Sequence, residues 1–290
     1  MIMKKNIRIN FKLMLQRRSF WIAFAVMLAL AIGVFAKNAY SFLGQCVDNV
    51  TAASSAYYLN DSAEFAFPIV YISLVVIMLP YANANLIDRK GNASYLYQAR
   101  TDRKTWYISQ LLVGMIGVFF VIAVPSILNV ILNGIAFNEN GNQNLIHSQG
   151  MYIHDYFNSI TGKAAIWSGR GLLFRRLIYF HPQMYNVCYC LLFGVSSAVI
   201  SGFAYGISLF VKKFTVLLYI LPVTMIHVIW ILSDYILARM DIPIWTSYKY
   251  YVCVSEFKGY IYYGIFWTIL GLLLAWGLGL SWLKGKMDEL

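Results

Sequence analysis

Charge is scarce in this sequence, and its scarcity excludes more than any motif does. Only 12 % of the 290 residues are Asp, Glu, Lys or Arg, against 60 % hydrophobic residues. Soluble domains carry about a quarter charged residues. With a positive mean hydropathy, the balance is that of a polytopic membrane protein. The length suits six spans of about 20 residues with their loops. It leaves no room for an added soluble catalytic domain, which ordinarily needs ~100 residues. A net charge of +11 would suggest nucleic acid in a soluble protein. Here its position along the chain matters more than its sum, and no nucleic-acid partner is expected.

Catalytic and ligand-binding signatures are missing too. The four cysteines, Cys46, Cys188, Cys190 and Cys253, have no C-x-x-C spacing and are expected to act as small packing residues. The four histidines (His147, His154, His181, His227) are scattered, and neither H-E-x-x-H nor G-x-S-x-G occurs. No metal site and no catalytic residue are expected. Gly162-Lys163 lacks both the glycine five residues earlier and the Ser/Thr after the lysine that a phosphate-binding loop requires. The chain is therefore not expected to be an enzyme. It needs no cofactor of its own, and any ATP and Mg belong to another chain. Charge inside the apolar runs is limited to His227, with Asp234 near the end of the same run. A proton- or sodium-coupled carrier would normally show more buried charge.

What the sequence does have is six apolar runs. They predict spans over about 20–36, 66–86, 106–135, 185–211, 214–236 and 259–283, in one membrane domain covering 1–290. Pro80 falls inside the second run, Pro125 marks a plausible kink in the third, and Pro222 lies within the fifth. Before the first run, residues 1–19 place Lys4, Arg8 and Lys12 on one helical face. Ile7, Phe11, Met14 and Leu15 form an apolar stripe on another. Such a basic amphipathic helix lies in the membrane interface, drawn to anionic lipid. The apolar run that follows, from Ser19 to Ala36, is 18 residues long. It exceeds the usual h-region of a signal peptide, so an uncleaved first span is expected.

Orientation follows from the basic residues. The N-terminal segment, residues 87–106, Lys212-Lys213 and the C-terminal tail hold 15 of the 23 Lys and Arg. The same segments hold 4 of the 12 acidic residues, so they carry the whole net charge of +11. Both termini and residues 87–105 are expected on the cytoplasmic side, with extracellular loops at 37–65, 136–184 and 237–258. Residues 163–180 are apolar enough to tempt a seventh span. Arg170, Arg175 and Arg176 argue instead for a helix on the outer surface. The aromatic stretch in 237–258 reads as either an interfacial dip or a re-entrant hairpin.

Three groups of residues are candidates for function. The first is the 87–106 stretch, I-D-R-K-G-N-A-S-Y-L-Y-Q-A-R-T-D-R-K-T-W, where Ala93, Leu96, Tyr97 and Arg100 share helical spacing. The second is Gly194, Ala198, Gly202 and Gly206, a small-residue face that lets helices approach closely, within the chain or across a dimer. The third is Asn83, Asn85 and His227, candidates for lining a pathway, although polar side chains in spans often only tie helices together. The C-terminal M-D-E-L would be cytosolic in this orientation and is read as accidental.

The order of these parts resembles that of ABC-2-type transporter permeases. The resemblance rests on the basic N-terminal helix, the charged segment between spans 2 and 3, its W-Y-I-S-Q-L-L entry into span 3, and F-A-Y-G-I-S-L-F-V-K-K-F-T-V near span 4. Asp88, Gly91, Tyr95, Leu96 and Arg103 stand where that family has an acidic residue, a glycine, a short coupling helix and an arginine-bearing turn. Asp88 lies unusually close to Gly91, and no proline precedes Arg103. The resemblance implies an all-α bundle of six transmembrane helices with an interfacial N-terminal helix and a cytoplasmic coupling helix. It also implies a cytoplasmic ATPase subunit touching Asp88, Arg89, Lys90, Gly91, Tyr95, Leu96, Arg100 and Arg103. A second permease subunit, identical or different, would complete a transporter in the cell membrane that exports peptides, drugs or lipid-like substrates. The alternative is a non-transporting immunity or sensor-partner protein.

Overall fold

A computed structural model of the chain describes residues 2–41, 66–81, 84, 88, 102–136, 182–211, 217–242, 244–245, 260–261 and 263–289. In chain order the described elements are α1 (Ile2–Gln16), α2 (Arg18–Ser41), α3 (Ala66–Val76), α4 (Arg103–Ala136), α5 (Pro182–Ser208), α6 (Leu217–Arg239), β1 (Ile244–Trp245), β2 (Tyr260–Ile261) and α7 (Tyr263–Glu289). Among the described residues the protein is all-helical apart from β1 and β2, which pair in parallel with Ile244 opposite Tyr260. Four helices among the described residues are long and apolar enough to cross a membrane: Arg18–Tyr40, Arg103–Ala136, Gln183–Ser208 and Tyr263–Asp288.

Helix ends follow local chemistry. Asp102 caps α4: its Oδ2 accepts from the Thr105 backbone N–H at 3.2 Å and from Thr105 Oγ1 at 2.6 Å. The cap satisfies donors that the first turn leaves open. α6 ends with the Ile242 N–H bonded to the Leu237 carbonyl and the Asp241 N–H to that of Ala238. This is the Schellman pattern, and it puts Asp241 at φ 54°. A bend at Arg17 separates α1 from α2, and Trp21 Nε1 bridges it by donating to the Leu15 carbonyl at 2.8 Å.

The second apolar run, expected as a single span over 66–86, is interrupted. Its helix ends at Val76, tightens through Met78 N–H to Val75 O and Leu79 N–H to Val76 O, and gives way to turns through Tyr81. Pro80 accounts for the break, because it donates no hydrogen bond and disfavours helical backbone at Leu79. Elsewhere the helix bounds differ from the expected spans by a few residues at either end, α5 ending at Ser208 and α7 beginning at Tyr263. α7 carries the C-terminal tail as helix through Glu289.

α4 is the hub, with α1, α2, α5 and α7 packed around it. At 34 residues it is about 51 Å long, well beyond the ~30 Å hydrocarbon layer. Trp106, Tyr107, Tyr185, Tyr189, Phe193, Phe203 and Phe266 are fully buried among these helices. Trp21, Ile22 and Ile32 of α2, and Leu272, Trp276 and Trp282 of α7, are exposed, as a lipid-facing surface requires. α6 packs more lightly. Its Trp230 stacks on Phe266 at 6.4 Å, and His227 meets Tyr71 edge-on at 5.1 Å.

Candidate functional site

The N-terminal helix is docked by polar residues as well as by its apolar stripe. Asn6, Asn10 and Met14 recur every four residues and are buried against the bundle. Lys4, Lys5, Arg8 and Lys12 stay exposed on other faces. Ile7 and Phe11 of the expected stripe are half-buried, while Leu15 is exposed. Parallel packing on α4 brings Asn10 beside Ser109 and Met14 beside Gly117.

From Asn10 a chain of hydrogen bonds runs through the bundle end. Asn10 Nδ2 donates to Ser109 Oγ at 2.8 Å, and Ser109 donates to the Trp106 carbonyl at 2.7 Å. Tyr81, held inward by the turns after α3, donates to Asn10 Oδ1 at 3.0 Å. The Arg17 guanidinium lies 4.8 Å over the Tyr81 ring and donates to Asp88 Oδ1 at 2.7 Å. Gln110 Nε2 donates to Asp88 Oδ2 at 2.9 Å, and Tyr205 of α5 donates to Gln110 Oε1 at 2.7 Å. Each contact has one donor and one acceptor, which sets the orientation of both amides. In surroundings this dry, an atom left without its partner costs ~1–3 kcal/mol.

Asp88 is 8 % exposed. Burial pushes its carboxyl above the ordinary carboxylate range, although Arg17 and the hydrogen bonds from Gln110 and Arg17 act the other way. The ion pair lessens the cost of burying the charge without cancelling it. Asp88 therefore faces inward, towards Arg17 and Gln110, where the sequence suggested a residue presented to a partner. A second tie lies close by. Tyr107, next to Trp106, donates to Asp288 Oδ2 at 2.6 Å, and Lys284 pairs with Asp288 Oδ1 at 2.6 Å. The N-terminal helix and the last turns of α7 are thus both bonded to the first turns of α4.

The small-residue face of α5 packs within the chain. A Cβ on Gly194 would lie 3.0 Å from Ala123 and Phe119, and one on Gly202 would lie 3.0 Å from Met115. Gly206 turns to α7, where a Cβ would lie 3.1 Å from Gly277 Cα. Ala198 is buried in the same helix. Arg103 opens α4 and is half-buried, as is His227. Cys188 and Cys190 form no disulfide, and Cys190 is buried. Arg239 donates to the Tyr235 hydroxyl at 2.8 Å.

Outside the described residues lie Asn83, Asn85, Arg89, Lys90, Gly91, Tyr95, Leu96, Arg100, Cys46, Cys253 and Lys212-Lys213. So do the segment 163–180 and most of the loops. Among the described residues no three His, Cys, Asp or Glu side chains gather to hold a metal ion. The hydrogen bonds and the ion pair fix five stretches of chain to one another.

Sequence reasoning missed Asn10, Arg17, Tyr81, Gln110 and Tyr205. The four-residue repeat of Asn6, Asn10 and Met14 was a usable signal, as was a polar Ser109-Gln110 pair just inside an apolar run. No family model, no curated protein and no solved structure matches this chain.

Proposed function

We propose that this chain is the membrane subunit of an ATP-binding cassette exporter of the ABC-2 permease type, driven through residues 87–105. One observation carries the reading: both flanks of that segment are anchored in the bundle. Asp88 is tied to Arg17 and, through Gln110, to Tyr205 of α5. Asp102 caps α4, the hub helix. A push on the segment between them passes into α1, α4 and α5 together.

In this reading Arg89, Lys90, Gly91, Tyr95, Leu96, Arg100 and Arg103 meet a cytoplasmic ATPase subunit, which binds ATP and Mg, and Asp88 is the positioning residue behind them. The interfacial helix 1–19 supports the coupling segment from the side. α2, the interrupted run that begins with α3, and α4 to α7 form the six spans, with both termini in the cytoplasm of a cell-membrane protein. The positive charge on the N-terminal helix and on 87–105 supports that orientation, as does the bonding of α1 and the end of α7 to the same end of α4. A second permease copy or a homologous chain completes the transporter, and the cargo is a hydrophobic or amphipathic peptide, drug or lipid-like molecule.

Purification of the tagged chain from its native membrane tests the reading. A P-loop ATPase is expected to accompany it. Its absence points to the non-transporting immunity or sensor-partner role. Leu96→Asp, or charge reversal at Arg89 and Lys90, is expected to abolish ATP-coupled export while membrane insertion stays intact. Undiminished export by these variants removes 87–105 from the mechanism.

A further inference from the structure

The docking of α1 turns a second face of the helix outward. With about 100° between successive residues, Asn6, Asn10 and Met14 cover an arc of about 80° that is buried against the bundle. Lys4, Lys5, Arg8 and Lys12 fall within an arc of about 100° on the opposite side of the helix, and all four are exposed. Along the row Lys4, Arg8, Lys12 the cations are spaced ~6 Å apart down the axis. No carboxylate is close in sequence, the first Asp or Glu of the chain being Asp48. Among the described residues the ion pairs are Arg17 with Asp88 and Lys284 with Asp288, and neither takes up a cation of this face.

The setting of that face is apolar. Leu15, which is exposed, falls inside the cationic arc. At the bend Trp21 donates to the Leu15 carbonyl and is itself exposed, at the head of the lipid-facing surface of α2. A helix long and apolar enough to span begins at Arg18, so α1 ends where hydrocarbon gives way to headgroups, the depth that Trp favours. An acidic protein surface would match the charge but not Leu15 and Trp21 beside it. A bilayer of anionic lipid matches both, with phosphate for the ammonium and guanidinium groups and hydrocarbon for the apolar residues and the lysine stems.

An amphipathic helix ordinarily holds to a membrane by sinking its apolar stripe into the interface. That route is closed to α1, because Met14 is buried against the bundle and Ile7 and Phe11 pack on the same core. We infer that Lys4, Lys5, Arg8 and Lys12 form a binding site for anionic phospholipid headgroups, held in place by the docking of α1 on α4. With the stripe already used, recognition rests on charge. It distinguishes headgroups of different charge and is screened by salt. The assignment does not depend on an ATPase partner, and the isolated full-length chain is enough to test it.

The experiment places the purified chain in phosphatidylcholine bilayers and measures, by electron spin resonance, the motionally restricted fraction of spin-labelled phosphatidylglycerol and of spin-labelled phosphatidylcholine. The wild type is expected to prefer phosphatidylglycerol about threefold or more at about 0.1 M NaCl. Most of that preference is expected to vanish at about 1 M, as the screening length falls from ~10 Å to ~3 Å. The fourfold variant Lys4→Gln, Lys5→Gln, Arg8→Gln, Lys12→Gln keeps helix-forming side chains on an exposed face. It is expected to lose about half of the preference or more while its Tm stays within ~2 °C of the wild type. Lys4→Gln combined with Arg8→Gln gives the same comparison, with a smaller loss, if the fourfold variant does not fold. The inference is overturned by a wild type that does not discriminate, which leaves the face to an acidic protein partner, by a preference that survives high salt, or by variants that keep it in full.

Discussion

The bundle is held together differently around Asp88, where the N-terminal helix docks, and along the seam between α5 and α7. At the first place, directional hydrogen bonds and one ion pair link Asn10, Arg17, Tyr81, Asp88, Gln110 and Tyr205. Along the seam, Gly202 and Gly206 face Gly277 with almost nothing between the backbones. In lipid, apolar side chains gain little by leaving one apolar environment for another. Helices associate there through polar pairing or through close backbone contact. The two regions use one device each. The network can be rearranged or discharged by proton transfer, while the seam can only be wedged apart.

The largest expected loss comes from taking one charge out of the network. Arg17→Met strands a buried carboxylate and is expected to cost about 3 kcal/mol, read as a fall in Tm in nanodiscs. Asp88→Asn removes the charge that burial already disfavours and is expected to cost ~1 kcal/mol. A cost for Asp88→Asn equal to that of Arg17→Met shows that the ion pair, not desolvation, dominates at Asp88.

The seam comes next. A Cβ at Gly277 would sit 2.9 Å from the Gly202 carbonyl oxygen and 3.2 Å from Phe203 Cα. Backbone cannot swing aside as a side chain can, so Gly277→Ala is expected to cost about 2 kcal/mol. Gly202→Ala meets the flexible Met115 thioether at 3.0 Å and is expected to cost under ~1 kcal/mol. Equal melting of the two variants ends the distinction between a backbone seam and side-chain contacts.

A pH titration separates the regions again. The Asp88 carboxyl stands above its ordinary range because it is buried. A carboxyl raised on folding contributes most stability below the unfolded-state value, roughly 3.9. Stability falls as pH rises from there to the folded-state value and then levels off. Wild type minus Asp88→Asn is expected to show that decline, and wild type minus Gly277→Ala to show none. The smallest effect is at the end of α6, where Asp241 holds φ 54°. Asp241→Gly is expected to gain ~0.5 kcal/mol by relieving the backbone, and unchanged or lowered stability argues against strain at that cap.

The apolar runs were legible because a membrane span must satisfy its own backbone and face lipid, so composition and length alone nearly specify it. The start of α4 was legible for a local reason: Asp102, Thr105 and an apolar run lie within one turn of sequence. The pairing of Arg17 with Asp88, 71 residues apart, was not. Each charge reads as one of many in a basic segment, and nothing local says which of them is buried. Gly194, Ala198, Gly202 and Gly206 were legible as a close-packing face, but a stripe of small residues names no partner. Contacts with Met115, Phe119 and Gly277 assign them to α4 and α7.

Sequence by itself determined that this chain is a bundle of membrane helices with its positive charge gathered in a few short segments. Those properties depend on composition and near-neighbour spacing. Tertiary structure alone decided which polar side chains are joined. It turned Asp88 away from the surface, docked the N-terminal helix through Asn10, and left Asn133 Oδ1, Gln183 Oε1 and both polar atoms of Asn186 without partners at the other end. Pairing is a matter of a few ångströms between residues distant in sequence, and only the packing of α4 against its neighbours sets those distances.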